Sequence, residues 1–146
     1  MLIAFDNIVP TGLAVSEYLV YMAEAGPVPH LPENGKIVSL DENSSSVSEV
    51  AVGGRLLVDV EFGRGRKLFA LAQGHFTPGQ DPGSPADPNT GQLLEVDGHG
   101  GFSVVADALN QPTSLELVGT TAYVVTLGGQ IWKIDGVAGP PYGNRH

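Results

Sequence analysis

The sequence predicts an all-β protein assembled from three copies of one short unit. Composition is the first indication: 20 Gly and 11 Pro in 146 residues, without the triplet of collagen, are typical of many turns between short strands. The second is a repeated phrase, which reads GKIVSLD from Gly35, GQLLEVD from Gly91 and GQIWKID from Gly129. The third is the alternation of apolar residues with a period of two around each phrase, which indicates strands.

The first two strands of each unit come before the repeated phrase. First strands are predicted at 11–15, 58–62 and 113–117, and second strands at 20–25, 68–73 and 122–127. Taken alone, segment 15–25 also fits an amphipathic helix that begins at Ser16 and turns Leu19 and Met22 to one side. Its repeat partner at 122–127 is β-branched and alternating, and equivalent segments of a repeat share a structure. A strand is therefore predicted at 20–25.

The repeated phrase is predicted to be the third strand, apolar on both faces. Its apolar residues fall at the third, fourth and sixth positions, which are Ile131, Trp132 and Ile134 in the last copy. Such a strand is expected where a sheet lies between two others, and Trp132 is expected to pack against a neighbouring sheet. Fourth strands are predicted at 47–52 and 102–106. The third unit has none, because Pro and Gly dominate the sequence after Asp135.

Four-stranded units of about 40–50 residues that pack face to face are the blades of a β-propeller. The predicted half-propeller covers 1–137, with blade one at 7–53, blade two at 54–107 and blade three at 108–135. A Pro/Gly-rich tail follows at 138–146.

The N-terminus carries a surplus strand that matches the strand missing from blade three. When Pro10 is aligned with Pro112, residues 2–4 fall opposite 104–106, which is a fourth strand. Three blades cannot close a ring, since propellers have about four to eight. The sequence therefore predicts a six-bladed propeller formed by a homodimer, in which 2–4 of each chain complete the third blade of the other. The alternative is a fragment of a longer six-bladed chain.

Charge and hydropathy exclude two classes of partner. The net charge of −9 would repel nucleic acid and anionic lipid, and no apolar run approaches the roughly 20 residues of a membrane helix. No nucleic-acid or membrane partner is expected. No signal peptide is visible at the start of the chain, and the compartment is not assigned.

Several stretches resemble a known group of six-bladed propellers. NIVPTGLAV from Asn7, VDVEFGRGRKLFAL from Val58, GQLLEVD from Gly91 and LNQPTSLELVGTTAYVV from Leu109 resemble the repeat of the ScyD/ScyE type. They are similar, more loosely, to the NHL and gluconolactonase-like propellers. The resemblance covers 2–137. The Gly-Pro-Asp-Gly turn common in that group is replaced here by SEY, GRGR and VGTT.

The resemblance implies the fold and leaves the activity open, since ScyD/ScyE-type proteins have no settled biochemical activity. The leading prediction is a binding or assembly module whose loop face receives a small molecule or a peptide, with no catalytic residue assigned. The gluconolactonase-like resemblance implies the alternative, a metal-dependent lactonase-like hydrolase with a divalent cation on the propeller axis.

Carboxylates on the innermost strands are the candidate metal ligands. Asp59, Glu61 and Glu116 would line the axial channel and could bind Ca²⁺ or another divalent cation through oxygen. Asn7 and Asn110, in equivalent connections that enter first strands, could add amide oxygens. The alternative is that these polar groups satisfy backbone groups or are solvated at the channel wall.

The long loops between second and third strands supply the remaining candidates. His30 and His75 lie in the loops of successive blades and could act as a base and an acid or as metal ligands, although a lone loop histidine is usually solvated. Asp81 and Asp87 lie in GQDPGSPADPNT, which could form a ligand clamp or a Ca²⁺-binding loop. It lacks EF-hand spacing, and the alternative is a proline-stiffened surface loop.

Overall fold

The protein is all-β, with three antiparallel sheets that follow one another along the chain. This is a computed structural model, which describes residues 1–29, 31, 33–81 and 83–137. The described residues contain no α-helix, and the single 3-10 turn, at Arg64–Arg66, joins two strands of the second sheet. Within this part of the chain, no helical segment has the length and apolar character needed to cross a membrane.

The first and second sheets have four strands and the third has three. Sheet one contains β1 (Pro10–Ser16), β2 (Leu19–Glu24), β3 (Gly35–Asp41) and β4 (Val47–Gly54), in that spatial order. Sheet two contains β5 (Leu57–Phe62), β6 (Leu68–Ala72), β7 (Gly91–Val96) and β8 (Phe102–Leu109), again in order. Sheet three contains β9 (Pro112–Val118), β10 (Thr121–Thr126) and β11 (Ile131–Ile134). These bounds confirm the predicted strands from 11–15 onwards, including the strand at 20–25 for which a helix was the alternative.

The three sheets reuse the same backbone geometry where each begins. In every copy, the amide that follows the second strand donates to the carbonyl of the residue that precedes the first strand. The three bonds run from Ala25 to Val9 at 2.9 Å, from Gln73 to Leu56 at 2.9 Å and from Leu127 to Gln111 at 3.0 Å. The three acceptor residues also share a left-handed backbone, with φ of 51°, 53° and 51°. Non-glycine residues adopt this conformation rarely, so its recurrence identifies three structural copies of one unit.

The sheets stack face to face in chain order, with β5 lying between β1 and β9. One apolar cluster, which includes Ile37, Leu57 and Val60, lies between sheets one and two. Another, which includes Leu93 and Leu115, lies between sheets two and three. Sheet two is therefore covered on both faces by its own chain.

The N-terminal segment covers part of the outer face of sheet one. Ile3, Phe5 and Ile8 pack against a third apolar cluster, formed by Met22, Val38 and Leu40. Residues 1–9 form no strand with other described residues, so the strand predicted at 2–4 has no ladder partner in the described part of the chain.

The last strand is largely exposed in the single chain. β11 was expected to be buried on both faces, but Ile131 is 73% exposed and Trp132 is 49% exposed. The indole N–H of Trp132 donates to the Gln130 side chain 3.2 Å away and not to a neighbouring sheet. In the described chain β11 is an edge strand with no sheet beyond sheet three, so its burial in a two-chain ring stays a prediction.

Candidate functional site

Three carboxylates predicted as metal ligands come together where sheets two and three meet. Asp59 and Glu61 lie on β5, and Glu116 lies on β9, the neighbouring first strand. β9 is the edge of sheet three, so the N–H groups that point away from β10 have no ladder partner among the described strands. The carboxylates of β5 lie where they can accept hydrogen bonds from those N–H groups.

Asp59 and Glu61 each accept a hydrogen bond across the gap between the sheets. One Asp59 oxygen lies 2.9 Å from the amide nitrogen of Leu115, and one Glu61 oxygen lies 3.4 Å from that of Leu117. The Thr11 hydroxyl makes the corresponding connection from sheet one, at 2.9 Å from the carbonyl oxygen of Leu57. Side chains on the first strands thus join each sheet to the next, which supports the alternative in which the carboxylates satisfy backbone groups.

Burial and like charge favour the protonated forms of these carboxyl groups. Desolvation raises the pKa of Asp59, opposed by its hydrogen bonds from Leu115 and Val60 and assisted by the charge of Glu116. Desolvation also raises the pKa of Glu61, and the hydrogen bond and charge of Glu116 add to this, so that the value is about 7. The Glu61 carboxyl group is therefore still partly protonated near neutral pH.

The axial cation gains no support from this geometry. Among the residues that the structure describes, no three His, Cys, Asp or Glu side chains are arranged to hold a metal ion. The binding of Ca²⁺ or another divalent cation by Asp59, Glu61 and Glu116 stays a prediction.

Asn7 and Asn110 hold connecting segments against loops. The Asn7 side chain donates to the carbonyl of Val28 at 3.1 Å and accepts from its amide at 3.0 Å. The Asn110 side-chain oxygen accepts from the amide of Asn89 at 3.3 Å. The two asparagines occupy equivalent connections, as predicted, and each fixes the segment before a first strand to a loop between second and third strands.

The loop between β6 and β7 is held by its own polar contacts. The Asp87 carboxylate accepts from the Thr77 hydroxyl at 2.6 Å and from the Gln80 amide at 3.2 Å. The backbone amide of His75 donates to the Thr90 hydroxyl at 2.9 Å, while Asp81 is exposed. His30 lies outside the described residues, and so does the predicted pairing of His30 with His75.

Sequence reasoning missed a residue that holds this loop and a buried carboxylate in sheet one. The Gln111 side chain donates to the carbonyl of Ala86 at 2.8 Å, which anchors the loop to the start of β9. Glu24, at the end of β2, is only 2% exposed and lines a cleft of ≈ 230 Å³. Comparison of the copies could have revealed it, because the residues at the same place in β6 and β10 are Ala72 and Thr126.

Comparisons with known proteins do not assign this chain to a family. The chain matches no known protein family and no curated protein.

Proposed function

We propose that this protein is a β-propeller binding and assembly module, in which two copies close a ring of six sheets. The observation that carries the proposal is a difference in burial between equivalent faces of the three sheets. Each sheet turns one face towards the next sheet along the chain, called here the leading face, and the other towards the preceding sheet, called the trailing face. Both faces are buried in the middle of the chain, and part of each is open at its ends.

The leading face of sheet three is apolar and exposed. Cross-strand pairing places Ala23 opposite Ile37, Leu71 opposite Leu93 and Val125 opposite Ile131 in the three sheets. The first two pairs are completely buried against the following sheet. The third pair and Tyr123 beside it are exposed, although their side chains are as apolar as those of the buried copies. Exposed apolar side chains on an ordered sheet face are typical of an interaction surface.

The trailing face of sheet one is open along its first strand. Leu13, Val60 and Leu115 occupy the same place, each opposite the middle of its second strand. Val60 and Leu115 are buried by the preceding sheet, whereas Leu13 is 63% exposed and Val15 beside it is also exposed. Pro10 is exposed as well, while its counterparts Leu57 and Pro112 are fully buried. A second copy of sheet three would cover these residues as sheets one and two cover their counterparts.

The packing of the N-terminal segment supports the proposed strand exchange. Val105 of β8 packs on the apolar cluster between sheets two and three. Ile3 stands at the equivalent place when Pro10 is aligned with Pro112, and it packs on the trailing face of sheet one. A β-ladder between residues 2–4 and the open edge of β11 in a second copy would complete a fourth strand for sheet three and remove an unpaired edge.

With two-fold symmetry, the open faces of each copy would be covered by those of the other. Sheet three of each copy would meet sheet one of the other, so the same contact forms twice and closes the assembly. The loops at one end of the sheets, which the asparagine contacts hold in place, would form the face for a small molecule or a peptide. We include in this proposal that the fold is similar to that of ScyD/ScyE-type propellers.

A charge placed on the leading face of sheet three tests the pairing. Val125→Asp would bury a carboxylate at both contacts between the two copies. If burial of each carboxylate costs about 2 kcal/mol or more, the dissociation constant of the dimer would rise at least about 1,000-fold. Val104→Asp is the matched control, since Val104 is an exposed valine of a strand in sheet two, whose faces are already covered. Light scattering should show a dimer for the unmodified chain and for Val104→Asp, and a monomer for Val125→Asp. Equal masses for all three chains would contradict the pairing.

A further inference from the structure

A cleft at one end of sheet one contains a carboxylate that has no hydrogen-bonding partner among the described residues. The cleft measures ≈ 230 Å³, and its described lining residues belong to sheet one and its adjoining connections. Glu24 lines it at the end of β2 and is 2% exposed. None of the other described residues donates a hydrogen bond to its side chain, whereas buried carboxylates in proteins are ordinarily hydrogen-bonded or paired.

The repeat shows that the fold does not require a carboxylate at this place. The counterpart in sheet two is Ala72, which is completely buried, and the counterpart in sheet three is Thr126, whose hydroxyl accepts from the amide of Gln130. An apolar or neutral residue therefore satisfies the same backbone environment twice in this chain. A buried ionisable group where the scaffold tolerates alanine is a candidate for function.

The cleft is acidic, and the one ammonium group among its described lining residues forms its ion pair with Glu49 and not with Glu24. Burial raises the pKa of Glu24, and the charge of Lys36, which stands opposite it in the sheet, only partly opposes this rise. The Lys36 ammonium itself lies 3.4 Å from a Glu49 carboxylate oxygen and forms its ion pair there. Glu33 adds a third carboxylate at the rim, where it pairs with Arg55 at 3.3 Å. Three carboxylates therefore face two cations, Lys36 and Arg55, which leaves one negative charge in excess to attract a positive charge.

The remaining lining residues suit the short apolar part of a small ligand. Ile8, Pro27 and Val52 contribute apolar surface beside the carboxylates. The volume is smaller than the roughly 300–1,000 Å³ of sites for drug-sized ligands, so the occupant is a small molecule.

We propose that the cleft at the end of sheet one binds a small primary amine in its ammonium form, with the Glu24 carboxylate as its counter-ion. The ammonium would donate a charge-assisted hydrogen bond to Glu24, and the alkyl chain would contact the apolar lining. Lys36 and Glu49 hold each other as an ion pair at the side of the cleft, which leaves Glu24 as the acceptor within it. The site lies within sheet one, so the pairing of two copies is not needed to form it.

The test is a titration of the full chain with n-butylamine, followed by amide chemical shifts. Saturable changes are expected at the lining residues Gly35, Lys36 and Gly53, and none are expected with neutral n-butanol at the same concentrations. Glu24→Gln keeps the shape of the side chain and should weaken n-butylamine binding at least about tenfold. Glu42→Gln removes the same charge from an exposed position in the turn between β3 and β4 and should leave the affinity unchanged.

The folding of each variant is measured separately, by thermal unfolding without ligand. Glu24→Gln removes a desolvated charge that has no hydrogen-bonding partner in the described part of the chain, so we expect its Tm to equal or exceed that of the unmodified chain. Unchanged amide signals with n-butylamine, equal changes with n-butanol, or equal affinity in Glu24→Gln would each overturn the proposal. These outcomes are independent of the mass measurements that test the ring.

Discussion

Glu61→Gln should stabilise the protein at pH 8 and leave its stability near pH 4.5 almost unchanged. The pKa of Glu61 is raised from 4.5 to about 7, first by burial and then by the neighbouring Glu116 and Asp59. Between those two pH values the folded protein holds a proton that the unfolded chain has released, so the free energy of unfolding falls as pH rises through this window. At about 1.4 kcal/mol per tenfold change in the proton equilibrium, the upper limit is about 3.4 kcal/mol. Glu61 remains partly accessible to water, and screening reduces this to about 1–2 kcal/mol.

Urea unfolding at pH 4.5 and pH 8, at one protein concentration, measures the effect directly. The side-chain amide introduced by Glu61→Gln would keep an acceptor for the Leu117 N–H and could donate to Glu116, so the variant should gain about 1–2 kcal/mol at pH 8 and almost nothing at pH 4.5. Glu42→Gln, which removes an exposed carboxylate, should change neither value by more than about 0.5 kcal/mol. Equal destabilisation of Glu61→Gln at both pH values would refute the reasoning, because the loss would then not depend on the charge of the Glu61 carboxylate.

Two further perturbations address the N-terminal segment and the close contact between sheets. Deletion of residues 1–5 removes Ile3 and Phe5 from the trailing face of sheet one. The deletion should lower the Tm and convert the dimer to a monomer in light scattering. A dimeric mass that survives the deletion would exclude strand exchange. Gly91→Ala should cost about 1–3 kcal/mol in urea unfolding, because a Cβ there would lie 2.5 Å from Pro112 Cδ and 2.8 Å from the Leu109 carbonyl oxygen. Gly128→Ala, which meets only the Thr126 hydroxyl at 3.8 Å, is its control, and equal losses in the two variants would contradict the packing argument.

The strands were predictable because each copy of the unit constrains the others. Segment 15–25 is ambiguous alone, and its alignment with the alternating segment at 122–127 was enough to identify β2. The exposure of β11 in the single chain was not predictable in the same way. Its sequence matches the buried β3 and β7, but burial depends on a neighbouring sheet, and the described chain places none beyond Ile131.

The candidate site was predicted by position more successfully than by role. The sequence placed Asp59, Glu61 and Glu116 on neighbouring first strands, and the structure brings them together there. The two β5 carboxylates accept hydrogen bonds from backbone N–H groups of β9. These N–H groups are available because β9 is the edge of a different sheet, and no local sequence pattern reveals that arrangement. Glu24 was missed because it sits in an apolar strand segment, where its burial and the cleft beside it become evident only after β2, β3 and β4 are packed.

The mass of the unmodified chain in solution tests the central claim most directly. Two copies that close a ring of six sheets should give a light-scattering mass of about twice the 15.2 kDa of one chain, unchanged on moderate dilution. A stable mass of 15.2 kDa across that range would contradict the ring, and would mean that the apolar faces at Leu13 and Ile131 remain exposed or are covered by something other than a second copy.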